Sequence, residues 1–420
     1  MTLCADLRHV IYALSDALDL VGVDDVAHGK RVGIMAAECA RVGGYSDEEV
    51  SFLFDLGMLH DIGVSSTRTH SHLVETFDWE GSQVHCEVGY ALLRGFSPLQ
   101  PMALPVRFHH TRWEKLVRLD VPPEIKSQAN LVYLVDRVDA FSAGHYADNS
   151  LLLFTDDIRS KIAEHVGSYF SPELVELFLT ASRTEAFWLR LEPRSIQACL
   201  NDMQAKSRNY PASTGDLKRL AAIFARIVDA KSPFTAEHSV GVARLARFLA
   251  ERLGIDAGNC DMLEIAGLLH DLGKLRVPDE ILEKPGKLDP NERKIINTHS
   301  YETFQILRNI GGFEDIARWA AYHHEEPDGS GYPFHLKADA MPPEARILRV
   351  ADIFQAMVQL RPYRSGLSDA EVGAFMRELA DAGRVDANIV ATLLADLPAA
   401  RRAACPNCAD LLEEAGVAVA

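Results

Sequence analysis

The chain is 420 residues long, with 43 Lys+Arg against 60 Asp+Glu and a formal net charge of −17. That length gives room for two or three domains, each with its own core, and 48% apolar with 25% charged residues excludes a disordered or fibrous chain. No run approaches the ~18 apolar residues of a membrane helix, Met1-Thr2-Leu3-Cys4-Ala5-Asp6 lacks a signal peptide's basic start and apolar core, and the acidic balance argues against non-specific nucleic-acid binding.

In chain order, Leu7–Leu20 and Glu48–His60 carry apolar residues at three- and four-residue steps, the mark of amphipathic helices. Ser171-Pro172 to Gln204 reads as further helix, and Lys206 to Gly215 as a polar, breaker-rich linker. Leu217–Asp229, Val240–Leu253 and Asp261–His270 return to helical steps, with Asp256 and Asp289-Pro290 as starts and Gly254 and Gly273 as stops. Period-two alternation is scarce. The expected fold is all-α: a first helical-bundle domain over 1–150, a helical connector and linker over 151–210, a second bundle over 211–400, and a tail over 401–420. In that tail, Cys405-Pro406-Asn407-Cys408 has ligand-like spacing, but one CxxC supplies half a zinc site and no second pair closes it. Seven cysteines without a secretory signal imply reduced thiols and a cytoplasmic location.

The histidines repeat. His28 to His60 spans 32 residues, as does His238 to His270; both second members are followed by Asp, at Asp61 and Asp271. His85 and His299 come next, and the doublets His109-His110 and His323-His324 each begin 24 residues later. Asp136 and Asp352 close the series, with an offset between copies that drifts only from 210 to 216. Ten of the 16 histidines fall in this register, which makes the chain two homologous domains. His9, His70, His72, His145, His165 and His335 stand outside it; a solvated loop is the better reading for His70 and His72.

Five imidazoles and two carboxylates are too many for one tetrahedral zinc and suit two octahedral ions such as iron or manganese. In the second copy the first ion would take His238, His270, Asp271 and Asp352, and the second Asp271, His299, His323 and His324, with Asp271 bridging. Such a pair binds a phosphoryl oxygen, acidifies a bridging water and stabilises the leaving oxygen, which is phosphoester chemistry. Lys274, close after the His-Asp pair, is placed to face a phosphate. Asp328-Gly329-Ser330-Gly331-Tyr332-Pro333 is a turn that lets backbone approach a ligand and offers Tyr332 for stacking on a base. Arg361 and Arg364 supply guanidinium forks for phosphate or guanine.

Together, His270-Asp271-Leu272-Gly273-Lys274, His323-His324-Glu325, Asp328 to Pro333, Glu344-Ala345-Arg346-Ile347-Leu348 through Asp352, and Arg361-Pro362-Tyr363-Arg364 resemble the HD-GYP domain. The resemblance covers roughly Asp216 to Asp381. It implies a bacterial phosphodiesterase that hydrolyses a cyclic dinucleotide, cyclic di-GMP or 3′,3′-cyclic GMP-AMP, at an iron or manganese centre. It also implies Lys274 on the scissile phosphate, Gly331 and Tyr332 in the signature loop, and Arg361 and Arg364 on the nucleotide, with Asp271 and Lys274 as the catalytic pair. The family's third metal draws on a Glu four residues before the first His; here that position is Phe234, which implies two ions.

The first copy is similar to the broader HD superfamily. All seven ligand positions are filled, by His28, His60, Asp61, His85, His109, His110 and Asp136, so a further metal centre is expected there. Val64 stands in place of Lys274, no GYP loop follows the doublet, and the positions nine and twelve beyond Asp136 are His145 and Asp148. Hydrolysis of this substrate is therefore not expected in the first domain. The partner the resemblance implies is a cyclic dinucleotide, with no nucleic-acid polymer and no membrane expected, and a homodimer is compatible with it. Two alternatives stand beside the enzyme: a cyclic-dinucleotide sensor with little turnover, and an HD phosphohydrolase of linear nucleotides.

Overall fold

The computed structural model describes residues 5–22, 27–75, 77–79, 81–148, 150–206, 211–231, 237–359 and 367–405. Helices account for nearly all regular structure among them, as expected; the strands are one antiparallel pair, Ala5–Asp6 with Pro211–Ala212. No helix among the described residues is long and apolar enough to cross a membrane.

The chain divides into two compact units, residues 18–209, and residues 210–419 together with 1–17. These bounds depart from the expected ones in three places. The stretch read as a connector belongs to the first unit: its helices Leu151–Glu164 and Pro172–Ala181 pack on Pro123–Ser142, burying Ile158, Ile162, Phe178 and Trp188. Residues 1–17 go with the second unit, where Ala5–Asp6 pairs with 211–212. The tail begins later than position 401, because the helix Leu397–Ala404 packs on His238–Arg252 and buries Ala400 and Ala404. Cys405 ends that helix exposed, and Cys408 lies outside the described residues.

Each unit repeats one design. In the second, His238–Arg252 packs against Ala257–Leu269 and Pro343–Val358, while Pro290–Leu307 packs on Glu314–Ala321 and on the turn Leu272–Arg276. In the first, His28–Val42 packs on Asp47–Leu59 and Pro123–Ser142, and Ser82–Leu93 on Gln100–Phe108. The starts and stops read from sequence have local causes. Asp256 accepts the amides of Gly258 and Asn259, Asp289 forms a capping box with Glu292, and Gly254 ends its helix at φ +78°. Small residues set how near the first two helices of each bundle come: a Cβ on Gly57 would lie 2.6 Å from Gly33 Cα, and one on Gly267 2.7 Å from Ala243 Cα. Gly273, read as a helix stop, has another reason to be glycine. A Cβ there would collide with the carbonyl of His299, so its absence lets the turn after His270-Asp271 lie on the helix that carries His299.

Candidate metal centre

The second unit gathers all seven predicted ligands from five places in the chain. His238 opens its helix, His270 and Asp271 follow the end of Ala257–Leu269, His299 sits within Pro290–Leu307, His323 and His324 follow Glu314–Ala321, and Asp352 lies within Pro343–Val358. Helix ends leave carbonyls without intrahelical partners, and two of the motif histidines use them. His270 donates Nδ1–H to Gly267 O at 2.8 Å, and His323 to Ala320 O at 2.6 Å. His299 does the same with Ile296 O at 2.7 Å, and His238 with the Gln355 side-chain oxygen at 2.6 Å. An oxygen of this kind only accepts, so each Nδ1 holds its proton and each Nε2 is left to face the centre.

Asp271 divides that centre. Its Oδ2 lies 3.5 Å from His238 Nε2 and 3.3 Å from His270 Nε2. Its Oδ1 lies 3.5 Å from His299 Nε2 and 3.9 Å from His323 Nε2. Asp352 Oδ1 joins the first side, 3.3 Å from His238 and 3.9 Å from His270. His299, His323 and His324 offer nitrogens within 4.8 Å of one another.

The donor set fits a metal on its own evidence: His270 Nε2 and Asp271 Oδ1 are buried polar atoms with no hydrogen-bond partner, which protein interiors seldom tolerate. Burial pushes the His299 imidazole down to about 4 and those of His323 and His324 well below their ordinary value, so all three are neutral donors at pH 7. Burial alone would push Asp271 up, but His270 and Lys274 outweigh it and hold the carboxyl well below its usual range. His238 goes the other way: against burial, its bonds to Asp271 and Asp352 raise it to about 10, so a proton lies where a dication would otherwise sit.

Lys274 Nζ approaches Asp271 Oδ2 at 2.5 Å with its side chain 25% exposed. Gly331 is buried, and a Cβ there would collide with Glu326 N and crowd the backbone of His324 and Glu325. It packs the signature loop rather than opening it to a ligand. Glu325 ties down the same loop, accepting Phe334 N at 2.6 Å and Leu336 N at 2.8 Å. Tyr332 stacks on His324, centroids 4.8 Å apart, so one ring face is already taken by a candidate ligand histidine. Phe234, Arg361 and Arg364 lie outside the described residues.

The first unit builds the same arrangement. Asp61 Oδ2 faces His60 at 3.5 Å and His28 at 3.8 Å, and its Oδ1 faces His85 at 3.2 Å and His109 at 3.5 Å. Asp136 Oδ1 is 3.4 Å from His28, and His110 joins Asp61, His85 and His109 in one ligand-sized cluster. His60 and His109 donate to Gly57 O and Val106 O at 2.7 and 2.6 Å. His60 Nε2, Asp61 Oδ1 and His85 Nδ1 are buried without partners. Val64 is buried at the position of Lys274, and Arg137 lies 2.9 Å from Asp136 Oδ2. His70 and His72 are on the helix Thr67–Glu75, not in a loop. His70 is half-buried with its ring 6.1 Å from His28, and His72 stacks on Trp79.

Sequence reasoning missed the residues behind the candidate ligands. Asp19 and Asp229 accept the amides of Gly29 and Ser239 at 3.0 and 3.1 Å, anchoring the helices that His28 and His238 open. Both stand in the repeat register and were there to be found. Thr303 accepts Gly273 N and donates to His270 O, fixing the turn against the helix of His299.

A family model described as HD domain matches residues 222–389. The 3′3′-cGAMP-specific phosphodiesterase 1 of Vibrio cholerae serotype O1 is 36% identical over 389 residues, covering 91% of this chain and 90% of that protein. The cyclic di-GMP phosphodiesterase response regulator RpfG of Xanthomonas campestris pv. campestris is 35% identical over 178 residues, 42% of this chain and 44% of that one. A crystal structure of a cyclic GMP-AMP-specific phosphodiesterase from V. cholerae superposes with a TM-score of 0.64 at 26% identity, covering 94% of this chain and 98% of that one.

Proposed function

We infer function from one premise, that the chain belongs to the HD domain family and to its HD-GYP-type phosphodiesterases: it is a metal-dependent phosphodiesterase of cyclic dinucleotides. The preferred substrate in our reading is 3′,3′-cyclic GMP-AMP, supported by the likeness to a relative of that specificity along nearly the whole of both chains. Catalysis belongs to the second unit. The observation that carries this is Lys274, which leans on the divided Asp271 where the first unit's equally divided Asp61 has only the buried Val64 beside it in the register.

The reading places His238, His270, Asp271 and Asp352 around one iron or manganese ion, and Asp271, His299, His323 and His324 around another. Such ions supply a water acidified to near neutral pH and charge stabilisation on phosphoryl oxygen. The chain's own residues do the rest. Backbone carbonyls orient His270, His299 and His323, and the Gln355 side chain orients His238, so these imidazoles need little reorganisation when substrate arrives. The Lys274 ammonium meets a phosphate oxygen and offsets the charge that builds there as the ester bond breaks. Tyr332, held by His324 and by the loop that Glu325 clamps, presents its remaining face and edge to the nucleotide. The first unit holds metal at its own seven ligands but lacks the lysine and the loop, and serves as a supporting domain.

The test is to load the purified full chain with Mn²⁺, incubate it with 3′,3′-cyclic GMP-AMP and with cyclic di-GMP, and identify the products. A linear dinucleotide from the first substrate, formed faster than from the second, is expected. His270→Ala should abolish it; full activity in that variant sinks the assignment of the centre, and saturable binding without product favours a sensor instead.

A further inference from the structure

The two centres differ in what stands behind their first histidine. His238 donates Nδ1–H to the neutral amide of Gln355 at 2.6 Å, whereas His28 donates to the carboxylate of Asp139 at 2.8 Å. Gln355 and Asp139 hold the same place, three residues beyond Asp352 and Asp136, and both are 1% exposed. The Asp139 carboxylate is fixed by Arg31, through Nε at 2.6 Å and Nη2 at 3.0 Å, and by the Tyr146 hydroxyl at 2.6 Å.

An imidazole that binds a cation through Nε2 takes on positive charge. A carboxylate at Nδ1 stabilises that charge and makes the ring a stronger ligand than a neutral amide does. Arg31 tempers the effect without removing it, since Oδ2 keeps its bond to His28. The other nearby cations balance across the comparison: Arg137 leans on a ligand carboxylate in the first unit, and Lys274 on one in the second.

We propose that the first unit's centre retains a transition-metal dication more tightly than the catalytic one, so that the chain carries one permanent centre and one that exchanges its ion at the His238 position. This rests on the reading that both constellations hold metal.

The test uses the full-length chain stripped of metal and titrated with Mn²⁺ against a competing fluorescent chelator. His270→Ala disables the second centre and His60→Ala the first. The His270→Ala chain is expected to hold Mn²⁺ about tenfold or more tighter than the His60→Ala chain. Gln355→Glu, close to isosteric, should tighten the second centre by a similar factor when added to His60→Ala, and Asp139→Asn should weaken the first. Equal affinities in the two single-centre chains, or no change on Gln355→Glu, overturns the proposal. Asp139→Asn strands Arg31 and risks unfolding, so Gln355→Glu carries the decision. Turnover by the unmodified loaded chain keeps the outcomes apart. Normal turnover with equal affinities refutes the proposal alone, no turnover refutes the functional reading, and no Mn²⁺ on the His270→Ala chain refutes the first centre.

Discussion

At the scale of single residues, Lys274 shows how a site can differ in function while its ligands stay the same. Its first-unit counterpart is Val64, and the carboxylate it leans on, Asp271, has a first-unit counterpart in Asp61 with the same division between two groups of histidines. A lysine so placed adds little to holding cations, because its own charge opposes them. Its contribution comes when an anion arrives. Lys274→Ala should therefore lower kcat by about a hundredfold, the scale of losing one donor to a developing charge, while metal per chain, measured by elemental analysis, stays constant. Loss of metal in step with activity would make Lys274 a structural partner of Asp271 instead. The seven candidate ligands of each copy were legible because their order and spacing recur in a strict register. Gln355 and Asp139 were not, because one glutamine or aspartate in a helix carries no signal until the ring it supports is seen.

At the scale of elements, each bundle depends on two helices that meet backbone to backbone. Gly267 faces Ala243 where no side chain fits, so Gly267→Val should cost roughly 1–3 kcal/mol or more through forced separation of the helices that bear His238 and His270. A thermal melt of the metal-free chain reads that cost; an unchanged melt would show that the pair can part freely. The helices Thr214–Ala230, His238–Arg252 and Ala257–Leu269 are also joined by Lys218 and Arg247 on Asp261 and Glu264, at 2.6 to 2.9 Å. Burial tends to raise the Asp261 carboxyl, but Lys218 and Arg247 pull it below its ordinary value. A depressed acid contributes stability above its unfolded pKa, near 4, and loses it as pH falls through the folded value. Asp261→Asn should thus cost no more than about 1 kcal/mol at pH 7, since the network is partly exposed, with the same cost at pH 5 and a shrinking one below pH 4. Denaturant titrations of both chains at these pH values measure it, and a cost that grows toward low pH contradicts the assignment. Helix existence and starts were readable from apolar steps and caps. The first unit's far boundary was not, because the helices of 151–206 look amphipathic in isolation and nothing local says which bundle their apolar faces join.

At the scale of the whole molecule, a net charge of −17 must admit a substrate with two phosphates. Two ranges of electrostatics decide the outcome. At about 0.01 M salt the Debye length is roughly 30 Å, so an approaching dinucleotide feels the acidic exterior and is slowed. At about 0.15 M the reach shrinks to roughly 8 Å, which hides most of the exterior but leaves Lys274 and the proposed metal centre effective at close range. Near 1 M, at roughly 3 Å, the local attraction is screened as well. The expected result is a kcat/KM for 3′,3′-cyclic GMP-AMP that rises from the lowest salt to the intermediate one and falls again at the highest, measured with the metal-loaded chain in an inert salt. A steady decline from 0.01 M upward would mean that positive charge near the site governs approach even at long range. The exterior charge would then be arranged away from the second unit's centre, and the formal total would say nothing about encounter.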